Sequence, residues 1–282
     1  ESIMPQIINT NIASMNAQRN LNTSQDSLYV SLRRLSSGLR VNSSKDDAAG
    51  LAVASRMETQ SRGMTVAIRN ASDGLSLAQV AEGGLGLLTQ HLQRMRELAV
   101  QSANGIYTSA DRSLLNAEFF QLASEVTRVI QSTDFNGKKV LNGSASNLIF
   151  QIGAGTSATN RITINISNLS AAAGVSAVAG LSIGGGTPGA AISAMSVITL
   201  ALNSINDMRA RLGAVQSRFD GVISLLQSSR ENQDAARSRI MDADYAAETA
   251  NLTRSQILQQ AGVAMLAQAN ALPNNVLSLL RG

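Results

Sequence analysis

The sequence of 282 residues contains no cysteine and no tryptophan, and aromatic residues make up only 3% of it. The lack of cysteine excludes disulfides, thiol catalysis and cysteine-ligated metals. Its only prolines, Pro5, Pro188 and Pro273, lie outside the helical stretches predicted below. Because aromatic side chains are scarce, Ala, Leu, Ile, Val and Met must fill the interior, which suits closely spaced helices better than a β-sandwich.

Charged residues are also scarce, at 15% of the chain, where about 25% is usual. The formal net charge is +4 and the sequence pI is near 10.0, but the basic residues are scattered. No basic run with interleaved aromatic residues occurs, so we predict no nucleic-acid binding. A low-charge surface on Ala-rich helices favours a protein whose surface is covered by neighbouring copies.

Residues for catalysis or metal binding are missing as well. His91 is the only histidine, and a lone imidazole lacks the nucleophile, base and orienting group of an active site. No H-E-x-x-H, Walker A or G-x-S-x-G motif is present. The pairs Asp46-Asp47 and Asp242/Asp244 provide fewer oxygens than calcium requires. We therefore predict that the protein is not an enzyme and binds no cofactor or metal.

The N-terminal residues have neither a basic region nor an apolar core, and they do not resemble a Sec-type signal. No window approaches 18 continuous apolar residues, so we predict no membrane span.

Residues 6–131 and 197–272 show apolar residues at steps of three and four, the spacing of an amphipathic helix. The first stripe consists of Leu21, Leu28, Leu32, Leu35 and Leu39. Within it, Gly38 interrupts the helix at a cost of about 1 kcal/mol relative to Ala. A new helix is expected to begin at Ala48. The later stripes are Leu85, Leu88, Leu92, Met95 and Ala99; Leu115, Phe119, Leu122, Val126 and Val129; and Ile205, Met208, Leu212, Val215, Phe219, Val222 and Leu226.

The middle of the chain differs in composition and in the spacing of its apolar residues. The runs 148–152 and 161–166 are β-prone, and the second alternates apolar and polar residues as a half-buried strand does. Residues 171–190 are rich in Gly and Ala and are expected to form a low-complexity surface loop or a small irregular excursion with no core of its own. The predicted fold class is therefore mainly α, a long antiparallel helical bundle or coiled coil from both chain ends, with a small β-hairpin region in the middle.

Long motifs at both ends resemble bacterial flagellin, in a short form with a reduced central region. The resemblance covers about residues 1–142 and 197–281. Its N-terminal motifs are Gln6-Ile7-Ile8-Asn9-Thr10-Asn11, Arg34-Leu35-Ser36-Ser37-Gly38-Leu39-Arg40-Val41-Asn42-Ser43 and Lys45-Asp46-Asp47-Ala48-Ala49-Gly50-Leu51. Its C-terminal motifs are Ser238-Arg239-Ile240, Asp242-Ala243-Asp244-Tyr245, Gln256-Ile257-Leu258-Gln259-Gln260-Ala261-Gly262, Leu266-Ala267-Gln268-Ala269-Asn270 and Asn275-Val276-Leu277-Ser278-Leu279-Leu280-Arg281.

The resemblance implies a structural subunit of the flagellar filament that self-assembles for motility. Residues 1–44 and 240–282 would form a coiled-coil inner tube, 45–170 and 191–239 a helical rod with the β-hairpin, and 171–190 a loop in place of outer domains. Because lone amphipathic helices are marginal in water, we expect the two terminal segments to be disordered in the monomer.

The implied location is extracellular, on the bacterial flagellum, after type III export without a Sec signal. The implied partners are further copies of the chain, an export chaperone, and the filament cap and junction proteins. A hook–filament junction protein is one alternative. A cell-surface adhesin that binds acidic polysaccharide electrostatically is another.

Two groups of residues are candidate sites. The apolar residues of the terminal helices are expected to carry self-assembly: Leu28, Leu32, Leu35, Leu39, Leu252, Ile257 and Leu266. The stretch 93–100 resembles the segment of flagellins that a vertebrate innate immune receptor recognises, and there Arg94, Leu98 and Glu118 correspond to the receptor-contacting positions. The plainer interpretation is that these three are ordinary helix-surface residues.

Overall fold

A computed structural model describes residues 10–279, with side chains described for residues 10–271. The motif residues 6–9 and 280–281 and the side chains of 275–279 therefore lie outside the description. The helices are α1 (Ile12–Ser37), α2 (Ala48–Ser102), α3 (Ser109–Ser132), α4 (Val175–Val178), α5 (Gly189–Met241) and α6 (Tyr245–Leu279). The strands are β1 (Asp134–Phe135), β2 (Lys138–Lys139), β3 (Leu148–Gln151) and β4 (Arg161–Ile164). The mainly α fold with a small β region confirms the predicted fold class.

The chain forms two compact units. Unit 1 contains residues 1–59 and 232–282, and unit 2 contains residues 60–231. Helices α2 and α5 contribute residues to both. Unit 1 thus joins segments from the two ends of the sequence.

The core of unit 2 is formed by α2, α3 and α5 along the predicted stripes. Leu85, Leu88, Leu92, Met95 and Ala99 are all completely buried. Their spacing of three and four residues places them on one face of α2, which is why a single helix can bury them together. The same cluster contains Phe119 and Val126 of α3 and Ile205, Met208, Leu212 and Phe219 of α5.

The strands β3 and β4 form the antiparallel hairpin expected from the sequence, with Leu148 opposite Ile164. Ile162 and Ile164 are buried, while Arg161 between strand and turn is exposed. Alternate residues of a strand point to opposite faces, so the hairpin covers the helical core with one face.

Aromatic packing joins this hairpin to α5. The rings of Phe150 and Phe219 meet edge to face with their centroids 5.7 Å apart. A Cβ atom at Gly74 of α2 would lie 2.7 Å from Cζ of Phe219. Gly74 therefore provides the space into which the Phe219 ring fits.

Residues 171–190 differ from the expected surface loop. Val175, Val178 and Ile183 are buried in the core of unit 2. Asn116 of α3 accepts hydrogen bonds through Oδ1 from the N–H groups of Ile183 (2.8 Å) and Gly184 (3.2 Å). The segment does not lie free on the surface as a loop would, because groups on helices distant in sequence anchor it to the core of unit 2; that it has no core of its own stays a prediction.

Buried polar side chains of α2 and α3 also hydrogen-bond to backbone carbonyls of the segment 171–190. The hydroxyl of Ser102 donates to the carbonyl of Ile183 at 2.7 Å. Arg112, 3% exposed, donates to the carbonyls of Ser102 (3.0 Å) and Gly185 (3.4 Å). A buried guanidinium is stable only when its donors are occupied, so Arg112 fixes the carbonyls around it.

Three helix ends differ from those predicted. α1 ends at Ser37, because Gly38 adopts the left-handed conformation (φ 72°) and its N–H caps the helix, as glycine commonly does. Leu39 is therefore not part of the α1 stripe, contrary to the prediction.

α5 begins at Gly189 rather than near 197, and α6 continues through Pro273 to Leu279 instead of ending at 270–273. A proline removes one helical hydrogen bond, and the carbonyl of Ala269, four residues before Pro273, accepts from Nδ2 of Asn11.

Among the described residues, α5 alone has the length and composition that would allow a helix to cross a membrane. Ala194, Ile198 and Ala201 of this helix are completely buried in unit 2. Packing within the protein accounts for these apolar residues, and the absence of a membrane span stays a prediction.

Candidate self-assembly surface

Helices α1 and α6 pair in antiparallel orientation in unit 1. At one end of the pair, Nδ2 of Asn11 donates to the carbonyl of Ala269 at 2.8 Å. At the other end, Nη1 of Arg34 lies 3.5 Å from Oε2 of Glu248, which is 7% exposed. The two helices are thus joined by polar contacts at both ends.

Between these two ends, small side chains take part in the contact between α1 and α6. A Cβ atom at Gly262 would lie 3.2 Å from Cδ1 of Leu21, so the missing side chain makes room for Leu21. Ser31 is 4% exposed and Ser255 7% exposed. Ser31 is the only residue of α1 that is fully buried. The two helices therefore approach closely at Gly262, while large apolar side chains on both of them stay exposed.

Large apolar side chains remain exposed on both helices, and we call these nine residues the exposed apolar set. On α1 they are Ile12 (62%), Met15 (58%), Tyr29 (69%) and Leu32 (45%), and on α6 Tyr245 (56%), Ile257 (60%), Leu258 (50%), Val263 (54%) and Met265 (63%). Scattered apolar residues are normal on a protein surface, but a concentration on one helix pair is typical of an interaction site.

The seven predicted assembly residues fall into three groups. Leu32 and Ile257 belong to the exposed apolar set. Leu28, Leu35, Leu252 and Leu266 are half-buried on α1 and α6. Leu39 instead pairs with Asp242 in a β-bridge and packs beside Val41 and Met241.

That bridge is part of a connection between residues 38–46 and 240–243, which we call the clip. The backbone N–H of Arg40 donates to the carbonyl of Met241 at 2.6 Å, and its guanidinium donates to the carbonyl of Ile240 at 2.7 Å. The N–H of Ala243 donates to the carbonyl of Gly38 at 2.9 Å. The clip was missed at the sequence level, because the motif residues indicate family membership but not this pairing.

Asp46 organises the N-terminal segment of the clip, residues 38–46. Oδ2 of Asp46 accepts from the Ser43 hydroxyl (3.0 Å) and from the N–H groups of Ser43 (2.9 Å) and Asn42 (3.2 Å). Its Oδ1 pairs with Arg33 at 2.9 Å. The Ser43 hydroxyl first, then these N–H groups and the Arg33 charge, hold the pKa of Asp46 below its usual range, since each favours the carboxylate.

The candidate receptor residues lie in unit 2, and the structure brings two of the three together on its surface. Nε of Arg94 donates to Oε1 of Glu118 at 2.8 Å, and Nη1 to Glu97 at 3.0 Å. The bond to Glu118, followed by that to Glu97, raises the pKa of Arg94 above its usual range. Leu98 is 1% exposed and belongs to the core cluster. Its side chain is therefore inaccessible in this conformation, contrary to a direct contact role.

No group of three or more His, Asp or Glu side chains is placed to hold a metal among the residues that the structure describes. His91 lies beside the α2–α3 packing, and its Nε2 is buried without a hydrogen-bond partner.

Comparison with known proteins identifies the family. Residues 8–146 match the bacterial flagellin N-terminal helical region, and residues 195–280 match the bacterial flagellin C-terminal helical region. A flagellin from Halalkalibacterium halodurans is 42% identical over 275 residues, covering 98% of this chain and 100% of its own length. The chain belongs to the flagellin family.

Further relatives agree with this. Flagellin B of Vibrio anguillarum is 36% identical over 371 aligned residues, covering 97% of this chain and 99% of its own length. A solved structure provisionally assigned to a flagellar hook-associated protein of Vibrio parahaemolyticus has a TM-score of 0.57, covers 70% of this chain and all of its own, and is 14% identical. At that identity the likeness concerns the fold alone. As a flagellin, this chain is a structural subunit of the bacterial flagellar filament, and it belongs to a family of structural proteins.

Proposed function

We propose that this flagellin enters the filament through the α1–α6 pair, with neighbouring copies covering the exposed apolar set. The observation that carries the proposal is the imbalance on these helices. Nine large apolar side chains are exposed, while the described contact between the helices includes the Gly262–Leu21 approach, half-buried leucines and an Arg34–Glu248 pair. Covering such side chains contributes about 25 cal/mol per Å² of apolar surface removed from water.

Each segment of the chain is proposed to have its own role in the filament. Residues 1–44 and 240–282 form the inner coiled coil of the filament, and residues 45–170 and 191–239 form a helical rod with the hairpin. The segment 171–190 takes the place of outer domains. Support comes from the exposed apolar set, which α1 and α6 carry.

The terminal helices are proposed to order only on assembly. A two-helix pair that leaves nine large apolar side chains exposed gives up part of the free energy that burying them would contribute, while ordering costs about 1–2 kcal/mol per residue. Hydrogen exchange on the soluble subunit tests this. We expect rapid exchange in 12–37 and 245–271 and slow exchange in the stripe of α2 from 85 to 99. Protection of the terminal helices in the free subunit would contradict it.

Seeded growth tests the assembly role directly. Purified full-length protein is added to filament fragments and imaged by negative-stain electron microscopy, beside chains lacking 1–44 or 240–282. We expect long filaments from the full chain and none from either truncation. Because a truncation removes the backbone contacts of a whole helix as well as its apolar side chains, the point variant Ile257→Ser provides a milder test, since it alters a single exposed side chain. Full-length growth without dependence on either terminus would refute the proposal.

The exposed Arg94–Glu118 pair supports a second proposal, recognition of the subunit by a vertebrate innate immune receptor. Both side chains are about half exposed and fix each other's position. A receptor reporter assay should respond to the monomer, and Arg94→Ala should weaken that response more than Arg211→Ala, which removes an exposed Arg–Asp pair elsewhere. Equal responses from the two variants would count against a role for the pair.

The remaining partners are proposed from family membership. They are an export chaperone, the filament cap and junction proteins, with export that does not use a Sec signal and an extracellular position in the flagellum. Attachment to acidic polysaccharide is a separate proposal that rests on the net charge of +4. Such attachment should disappear at high salt, since screening shortens the range of surface charges.

A further inference from the structure

Helix α6 contains a proline inside its C-terminal half. The helix runs from Tyr245 to Leu279, and residue 273 is Pro273. A proline has no backbone N–H, so the carbonyl four residues earlier, that of Ala269, cannot receive its helical hydrogen bond from residue 273. Ala269 is only 7% exposed. A backbone carbonyl in so little exposed a residue is costly to leave without a partner.

The side chain of Asn11 provides that partner. Its Nδ2 donates to the carbonyl of Ala269 at 2.8 Å. Its Oδ1 at the same time accepts from the N–H of Ser14 at 3.0 Å, which makes Asn11 the N-cap of α1. One amide thus satisfies an unpaired donor where α1 begins and the acceptor that Pro273 leaves unpaired within α6.

A second hydrogen bond joins α1 and α6 beside the one from Asn11. The Ser14 hydroxyl donates to Oδ1 of Asn270 at 2.7 Å. Sliding α1 by one helical turn along α6 would move these atoms by about 5.4 Å, beyond hydrogen-bond reach. The apolar contacts on either side tolerate such a slide better, because they are less directional than hydrogen bonds.

We propose that Asn11 is a positioning residue that sets the register of α1 against α6 and makes the ordering of each helix depend on the other. Asp or Ser would cap α1 equally well, but neither carries a side-chain N–H at the position of Nδ2. The proline explains why the amide is needed. The inference rests on the proposed function only in that assembly uses the paired helices.

A disulfide reporter can read the register, since the chain has no native cysteine. A Cβ atom at Gly262 would lie 3.7 Å from Cβ of Leu21, close to the usual separation in disulfides of about 3.8 Å. The variant pair Leu21→Cys with Gly262→Cys therefore reports the native register. The pair Leu21→Cys with Leu266→Cys reports a slip of one turn. The measured quantity is the effective concentration of each thiol pair, obtained by equilibration of the full-length protein with glutathione.

Two substitutions keep the cap and remove the donor, Asn11→Ser and Asn11→Asp. We expect each to lower the effective concentration of the native pair about fivefold, as loss of one neutral hydrogen bond would, and to raise that of the slipped pair. In a Pro273→Ala background, residue 273 donates to Ala269 itself. There the effect of Asn11→Ser should fall below about twofold.

The matched control for Asn11→Asp is Asn16→Asp, which places the same charge on α1 a little more than one turn further along. Asn16 is exposed, and its hydrogen bond among the described residues is one accepted from Arg19 within its own helix, at 2.9 Å. We expect no change in either reporter pair from this variant.

The measurement is made on assembled filaments and on the soluble chain. The inference is supported if, in filaments or in the soluble chain, substituting Asn11 lowers the effective concentration of the native thiol pair more with Pro273 present than in the Pro273→Ala background. An Asn11 effect of equal size with and without Pro273, or no effect in both states, overturns it. A chain that shows this dependence but never assembles contradicts the proposed filament role and leaves the inference standing, so the two failures are distinguishable.

Discussion

Ile257 offers the sharpest test of the assembly surface, through the substitution Ile257→Ser. The side chain is 60% exposed on α6. Complete burial of an isoleucine side chain contributes about 1.5–3 kcal/mol. Covering the 60% that is still exposed would therefore contribute about 1–2 kcal/mol per subunit. Isoleucine and serine have similar intrinsic helix propensities, so the comparison isolates the surface that neighbouring copies would cover.

The assay is the critical concentration for growth of seeded filaments, measured by sedimentation across a dilution series. A loss of about 1–2 kcal/mol corresponds to a roughly five- to thirtyfold rise in that concentration. The control Ile257→Leu keeps the apolar volume and should stay near the parent value. Thermal unfolding of unit 2 should be the same in all three proteins, because Ile257 belongs to unit 1.

An unchanged critical concentration for Ile257→Ser would refute the argument, because it would mean that neighbouring copies leave this part of α6 in water. A rise of the same size for Ile257→Leu would point instead to shape rather than apolar area as the determinant.

Four further outcomes are expected. Gly74→Ala should destabilise unit 2 by about 1–3 kcal/mol, because its Cβ would overlap a buried ring, whereas Gly83→Ala, with nothing within 4 Å, should stabilise α2 by about 0.5–1 kcal/mol; thermal unfolding distinguishes them. The pKa of Asp46 is lowered on folding, so its stabilising effect is present above its unfolded pKa and lost as pH falls through the folded pKa; hydrogen exchange in the clip should rise over that acidic range, and less so in Asp46→Asn. Asn116→Ala should speed exchange of the Ile183 amide without changing that of the α2 stripe.

The parts of the fold that follow from local periodicity were predictable. The stripe from Leu85 to Ala99 is buried as its spacing indicated, and the alternation of residues 161–166 marked a real strand. Both patterns are visible because each element presents its own apolar residues to one side.

Features that depend on contacts between distant segments were not predictable. The Asn116 amide and the Arg112 guanidinium anchor 183–185 from α3, and nothing in the glycine-rich segment itself reveals them. Leu98 illustrates the limit of carrying a position over by resemblance, since the alignment of motifs does not tell whether a helical residue faces solvent or core. Pro273 was expected to end α6, because a rule about single helices takes no account of a donor on a partner helix.

The absence of tryptophan, together with where the tyrosines lie, gives the molecule a built-in optical probe. Of its three tyrosines, Tyr29 and Tyr245 are on the terminal helices, 69% and 56% exposed, and Tyr107 is in the turn after α2. None lies in the core of unit 2. Near-ultraviolet emission therefore reports mainly on the helices proposed to assemble, and filament growth can be followed in real time without attaching a dye.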